Sequence, residues 1–353
     1  MSLKHILPCN LYYKLIAVNN EYEKLSFIDK FTAIKKLAVR LSRIHLFPEV
    51  KLKILEDAII RTNIPDLKFR SLRGKLPEAF FLSAMAIYQY CLESENYDIT
   101  IVRPGNGGGR DLFIQQRYLE ALGINPRYIL IDRSEEQNIL SQRLNPDIPA
   151  SSYFTQDLFN PLLQEIIQHI GENGVDIVDF QQVLHEIRSE GCGGSYMDLQ
   201  NVVQRFSDIL VQGGLVIGED VNIVEEGYDR DVEFALSEEY IPMFEQFCRF
   251  LKIQDAVKKM GHNKYSCPLR WFSVLCGKLH DFNQTDREMR EIHKNMTVRD
   301  LEALFQRSGL TILCITPLGV PAIILEALKR NITMLSRADW PPFSVYFVAQ
   351  KPK

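Results

Sequence analysis

What this sequence has little of narrows the field first. Its seven cysteines stand apart at positions 9, 91, 192, 248, 267, 276 and 314. An odd set with no C-x-x-C pair does not make a disulfide framework and suits free thiols in a reducing compartment. Of His262, Cys267, Cys276 and His280, only the last two have a structural-zinc interval, so no metal is assigned. No stretch approaches about 18 uninterrupted apolar residues, so no membrane-spanning helix is expected. The apolar part of the first ten residues is too short for a secretory signal, and a cytoplasmic protein is expected. Positive charge is scarce as well. A net charge of -4 and a pI near 6.0 argue against a general nucleic-acid or anionic-membrane binder. Repeats and low-complexity tracts are missing, and 46% hydrophobic with 24% charged residues places the chain among ordinary globular proteins.

What is present is length and asymmetry. At roughly 150 residues per domain, 353 residues suggest about two domains. Residues 1–75 carry 15 Lys and Arg against 7 Asp and Glu, a surplus of +8, and the remainder carries -12. Around Phe27, Phe31, Ile34, Leu37-Ala38, Leu41 and Ile44 the apolar positions step by three and four, which predicts a helix ended by Pro48. A second helix is predicted through Val50, Leu52, Leu55, Ala58 and Ile59, and a buried third from about Glu78 to Leu92. Residues 1–95 therefore read as an N-terminal helical cap.

The pattern then changes. Ile99–Val102, Tyr128–Ile131, Val175–Phe180 and Leu215–Gly218 read as strands, with helices centred near residues 117, 139, 166 and 206 between them. Such alternation predicts βαβ units and a parallel sheet. From Asn222 to Met296 the strand signal disappears, so residues 222–296 read as a mainly helical insertion, with Tyr240, Phe244 and Phe247 at helical spacing. Strand-like sequence returns at Leu310–Ile315 and Ser344–Ala349.

Chemistry concentrates after the first strand, in IVRPGNGGGRDL. Gly105, Gly107 and Gly109 form a G-x-G-x-G loop that opens a helix, where backbone amides can approach a ligand closely. The dinucleotide fingerprint would need a small residue where Arg110 stands, which disfavours a nicotinamide oxidoreductase, and no Walker lysine follows. Asp132 ends the second strand in RYILIDRSEEQ, where a carboxylate can take both hydroxyls of a ribose. Asp157 follows the third strand in YFTQDLF. The fourth strand reads VDIVDFQQVLHEI, and FSDILVQGGLVIGED leads into the fifth.

This succession resembles the class I S-adenosylmethionine-dependent methyltransferases. VDIVDFQQVLHEI is similar to that family's fourth-strand segment, and ILVQGGLVIGED to its glycine-turn segment. TVRDLEALFQRSGLTIL is similar to the helix entering its sixth strand, and FSVYFVAQKP to its last, antiparallel strand. The likeness covers residues 95–221 and 296–353. It implies an α/β doubly wound, mostly parallel seven-stranded sheet over residues 96–353, with S-adenosyl-L-methionine as cofactor. By the same resemblance Gly105, Gly107 and Gly109 cradle the methionine portion and Asp132 binds the ribose diol. Asp157 accepts from the adenine amino group with Leu158 against the ring, and Gln181 and Gln182 lie beneath the transferable methyl. His185 orders the loop after the fourth strand.

One residue departs from the family. Its usual acid near the end of the first strand, two positions before the first glycine, is here Arg103, whose charge would oppose the methionine ammonium. Two arrangements follow: Arg103 faces the cofactor, or it turns away and pairs with an acid such as Asp111 or Asp132.

The resemblance implies methyl transfer to an unidentified acceptor, a small molecule at oxygen or nitrogen. An oxygen acceptor also wants a base, and His262 and His293, in or beside the insertion expected to cover the acceptor pocket, are the candidates. Asp339-Trp340-Pro341-Pro342-Phe343 is only faintly similar to the element of amino-methylating nucleic-acid enzymes and stands in the wrong place, so nucleic acid is not the expected partner. The alternative is an inactive methyltransferase-like scaffold that docks partners on its basic N-terminal helices. Those helices also offer a homodimer contact.

Overall fold

Runs such as Ile99–Val102 and Tyr128–Ile131 are apolar at nearly every position because both faces of the sheet they build are covered. The computed structural model describes residues 27–45, 47–62, 77–159, 174–190, 196–223, 229–279, 296–320, 322–336, 340–342 and 344–353. The predicted strands are present as β1 (Thr100–Pro104), β2 (Arg127–Asp132), β3 (Tyr153–Thr155), β4 (Val175–Gln181) and β5 (Leu210–Ile223). Insertion strands β6 (Asp231–Leu236), β7 (Lys258–Lys259) and β8 (Lys264–Pro268) follow. The chain then forms β9 (Met296–Thr297), β10 (Thr311–Leu318), β11 (Ile332–Met334) and β12 (Ser344–Gln350).

The central sheet has the order β3-β2-β1-β4-β5-β12-β10, and β9 adds beside the far end of β5. β12 is antiparallel to both its neighbours, and the other main strands run parallel. One face carries α1 (Phe27–Ser42), α2 (Pro48–Thr62), α3 (Pro77–Ser94) and α4 (Arg110–Leu122), which follows the glycine loop. The predicted N-terminal cap therefore shares one continuous core with the sheet. Ile34, Leu41, Leu55, Phe80 and Phe81 join Ile101, Leu130, Ile177 and Ile217 in it. Lys36, Arg40 and Arg43 point outwards from α1. After β2 comes α5 (Glu135–Leu144), started by Ser134, whose hydroxyl accepts from the Gln137 amide.

The opposite face is covered by α6 (Leu184–Glu190), α7 (Tyr196–Asp208) and α10 (Val298–Arg307). Phe180 of β4 and Phe206 of α7 meet edge to face at 5.5 Å. The segment similar to the family's sixth helix begins with a capping box. Thr297 Oγ1 accepts from the Asp300 amide at 3.1 Å, and Asp300 returns the bond to the Thr297 amide at 2.9 Å.

The insertion corrects a sequence expectation. Residues 222–296 read as mainly helical, yet β5 continues to Ile223, and β6, β7 and β8 form a second, antiparallel sheet in the order β11-β6-β8-β7. Asp-Val-Glu-Phe-Ala-Leu has period two, with Val232, Phe234 and Leu236 buried. The signal spans only six residues and adjoins aromatics that do follow helical spacing, Phe244 and Phe247 in α8 (Ile241–Phe250). With α9 (Leu269–Leu279) and α11 (Ala322–Asn331), this sheet encloses a core of its own, in which Phe234 packs 4.9 Å from Phe272. The helix expected near residue 166 lies outside the described residues. No helix among the described residues is long and apolar enough to cross a membrane.

Candidate functional site

The chain leaves β1 for β2 on one side and reaches β4 on the other, so the direction of winding reverses between β1 and β4. In open α/β sheets the crevice outside the carboxyl ends of two such strands is where ligands bind. Here Pro104 ends β1 and Gln181 ends β4. The loops that follow touch: Gly105 has φ of 66°, and a Cβ there would come within 2.4 Å of Val183 Cγ2. Gly107, with φ of 56°, differs, because its missing Cβ would meet nothing within 4 Å. The first glycine seals the loop against β4, and the second keeps its outer side open to a ligand.

Asp132 holds this loop. Its Oδ2 accepts from the Gly107 amide at 2.7 Å, and its Oδ1 accepts from the Ser134 amide at 2.9 Å. Each carboxylate oxygen retains a second lone pair, and the residue is half-buried. Asn106 anchors the loop from beneath, donating to Ser141 Oγ of α5 at 2.8 Å. Gly109 starts α4, and its carbonyl accepts from Asn145 Nδ2 at 3.1 Å. At the end of β3, exposed Asp157 accepts from the Phe159 amide at 2.9 Å, and half-buried Leu158 packs against the core of the α7 face. The glycine loop, Asp132, Asp157 with Leu158, and Gln181 thus lie at the carboxyl ends of four adjacent strands in the order β1, β2, β3 and β4.

Gln181 lies below the surface of the crevice edge rather than on it. Its side chain is buried, and Nε2 donates to Asp179 Oδ1 at 2.6 Å and to Ser83 Oγ of α3 at 3.2 Å. Gln182 takes the open position, half-buried with φ of 53°. Its amide donates to the Glu219 carbonyl at 2.7 Å.

Arg103 settles between the two arrangements left open by the sequence. It is fully buried and turned towards α4, where Nη2 pairs closely with Asp111 Oδ2 and Nη1 lies 3.8 Å from Asp179 Oδ2. The β1–β4 register aligns Ile101 with Ile177 and Val102 with Val178, which brings Arg103 beside Asp179. Gln115 of α4 donates to Asp179 Oδ2 at 2.9 Å. Burial pushes the Asp179 carboxyl above its ordinary value, while Arg103, Gln181 and Gln115 pull it back.

Sequence reasoning passed over Asp179, Gln115, Ser83 and a buried pair across β5, in which Asp220 accepts from His185 Nδ1 at 2.6 Å and from the His185 amide at 3.1 Å. The available signal was the polar positions 176, 179 and 181 inside an otherwise apolar, wholly buried strand. Of the two base candidates, only His262 falls among the described residues. His262 is exposed in the β7–β8 turn and pairs with Glu238 at 3.1 Å. His293 lies outside the described residues.

The strand order, with an antiparallel strand set between the fifth and sixth parallel ones, is that of the class I methyltransferase fold. Solved structures similar to this chain include the plantazolicin methyltransferase BpumL in complex with a pentazolic desmethylPZN analog and SAH. It is 13% identical with a TM-score of 0.42, over 91% of this chain and 99% of that one. An S-adenosylmethionine-dependent methyltransferase from Clostridium acetobutylicum is 10% identical, with a TM-score of 0.40 over 82% and 97%. Another from Mesorhizobium loti is 15% identical, with a TM-score of 0.40 over 72% and 91%. These likenesses are distant, and the fold assignment rests on the strand order itself. No protein-family model matches the chain, and no curated protein matches it.

Proposed function

We propose that this protein is an S-adenosylmethionine-dependent methyltransferase that modifies a small molecule at oxygen or nitrogen. The observation that carries the reading is the glycine loop at the β1–β4 reversal, braced by Asp132 and open at Gly107. The residues present fit such a cofactor: a loop side that no Cβ fills, and a carboxylate at the end of β2 with lone pairs to spare. The methionine portion would lie along Gly105, Gly107 and Gly109. Asp132 would take the ribose hydroxyls on its unused lone pairs, and Asp157 and Leu158 would receive the adenine. Gln182, rather than Gln181, would face the acceptor. The bound cofactor supplies a methyl group on a sulfonium centre, open to in-line displacement. The chain's part is to align and desolvate the acceptor. The net charge of -12 beyond residue 75 favours a small acceptor over nucleic acid.

Calorimetry with S-adenosylhomocysteine tests the reading, paired with a thermal melt. Binding should raise the melting temperature, since a ligand taken up only by the native state stabilises it by about 2.7 kcal/mol at a hundredfold excess over Kd. Neither heat nor shift at millimolar ligand would favour the methyltransferase-like scaffold.

A further inference from the structure

We infer that Asp179 on β4 takes over, in this chain, the work of the acid missing from β1: it selects the ammonium of the cofactor's amino-acid tail, acting through the Gln181 and Gln115 side chains. The inference rests on the S-adenosylmethionine reading above. It concerns which residues read the tail.

The charge count is the first argument. The carboxylates Asp111 and Asp179 are buried on either side of the Arg103 guanidinium. Arg103 spends its close ion pair on Asp111. Asp179 receives amide N–H donors on both oxygens but only a distant guanidinium, at 3.8 Å. Asp179 therefore has no close counter-ion among the described residues, and a buried charge in that condition favours the arrival of a cation. Arg103 does not oppose the ammonium, because Asp111 neutralises it.

The unmet hydrogen-bonding capacity is the second. Gln115 Oε1, Gln181 Oε1, Arg103 Nε and Arg103 Nη1 are buried with no hydrogen-bond partner among the described residues. Such groups can take a ligand, an ion or water as partner. They comprise two acceptors and a donor pair, the complement of an α-amino acid zwitterion, whose ammonium only donates and whose carboxylate only accepts. Each glutamine turns Nε2 to Asp179 and so directs its oxygen away from it. A carboxamide polarised by a carboxylate on one side is a stronger acceptor on the other. Asp179 can thus act without touching the ligand, which makes it a specificity-determining residue rather than a catalytic one.

The test compares three ligands by calorimetry on the full chain. They are S-adenosylhomocysteine, its analogue with hydrogen in place of the amino group, and 5′-methylthioadenosine, which has no amino-acid tail. In Asp179→Asn, S-adenosylhomocysteine should bind about 10- to 100-fold more weakly, as expected when a buried negative charge near the ammonium is removed. The other two ligands should change by no more than about twofold, since they lack the group that Asp179 reads. The ligand-free variant should melt no lower than the parent, because the ionised group it removes was opposed by burial. Should that variant fail to fold, Gln181→Met removes one relay oxygen and should cause a smaller loss with the same ligand pattern. An equal loss for all three ligands, or no loss for S-adenosylhomocysteine, overturns the inference while leaving the cofactor reading intact. A parent chain that binds neither S-adenosylhomocysteine nor methylthioadenosine overturns the cofactor reading itself.

Discussion

Strand β4 buries two aspartates three residues apart, and the sheet treats them in opposite ways. Asp176, near the amino edge, accepts from the Tyr90 hydroxyl at 2.8 Å and from the Thr100 amide at 2.9 Å. Both oxygens meet neutral donors, and the bonds tie α3 and β1 to β4. Asp179, at the carboxyl edge, sits with a second carboxylate, a single guanidinium and four unsatisfied polar atoms. A fully paired polar group serves the fold. Asp179 is bonded on both oxygens as well, and differs in the unmet Oε1, Nε and Nη1 atoms of the residues around it.

The harshest way to break the contrast is Arg103→Ala. It removes the guanidinium from beside Asp111 and Asp179 while leaving both acids buried, which should lower stability by about 3–5 kcal/mol. A denaturant titration reads this directly, and a midpoint close to the parent's would mean that the guanidinium is not the partner of these acids. Asp176→Ala should cost about 1–3 kcal/mol by orphaning Tyr90 and Thr100. Its S-adenosylhomocysteine affinity should stay within about twofold of the parent's if the amino edge is purely structural. Asp132→Ala should leave stability nearer the parent's but weaken S-adenosylhomocysteine by about 1–3 kcal/mol. Unchanged affinity in that calorimetric comparison would place the ribose elsewhere.

Acidity sharpens the same comparison more gently. Burial raises the Asp179 carboxyl above its ordinary value of 3.8, so the folded chain holds that proton more tightly than the unfolded chain. Stability from this group is therefore gained as pH falls through its folded value and is complete below about 3.8, with a slope of at most about 1.4 kcal/mol per pH unit. Melts of the parent and of Asp179→Asn across the acid range should converge from the variant's favour towards the parent's. Parallel curves would show that Asp179 does not titrate differently in the two states.

The sheet was legible because a strand buried on both faces is written as a mostly apolar run, as the middles of β1, β2 and β12 are. The glycine loop and Asp132 were legible because close backbone approach and a strand-end carboxylate need particular residue types. β6 and β8 were hidden, since six and five residues of alternation are outweighed by neighbouring aromatics at helical spacing. The Arg103–Asp179 arrangement was only half legible. The departure at Arg103 stood out, and a pairing with Asp111 was an open alternative. Asp179 is 76 residues away and becomes a neighbour only through the β1–β4 register, which local sequence does not encode. The partner of the Gln181 side chain was hidden for a related reason. A strand's last residue can turn to either face, and Ser83, 98 residues distant, decides which.

The smallest effect is expected at His262, and it bears on whether the second sheet takes part in chemistry at all. As a general base for an oxygen acceptor, His262 would contribute on the order of 10²–10⁴ in rate, so His262→Ala would nearly abolish turnover. The surroundings argue otherwise. The ring stands in a turn between β7 and β8, its side chain 81% exposed, and its partner Glu238 is itself 66% exposed. Water screens such a pair, so its position is not fixed as a catalytic base requires. Turnover in His262→Ala should therefore stay within about twofold of the parent once an acceptor is in hand, with an unaltered pH profile. A loss of a hundredfold or more, with the acid limb of the profile removed, would instead bring the β7–β8 turn over the acceptor and make the second sheet part of the active site.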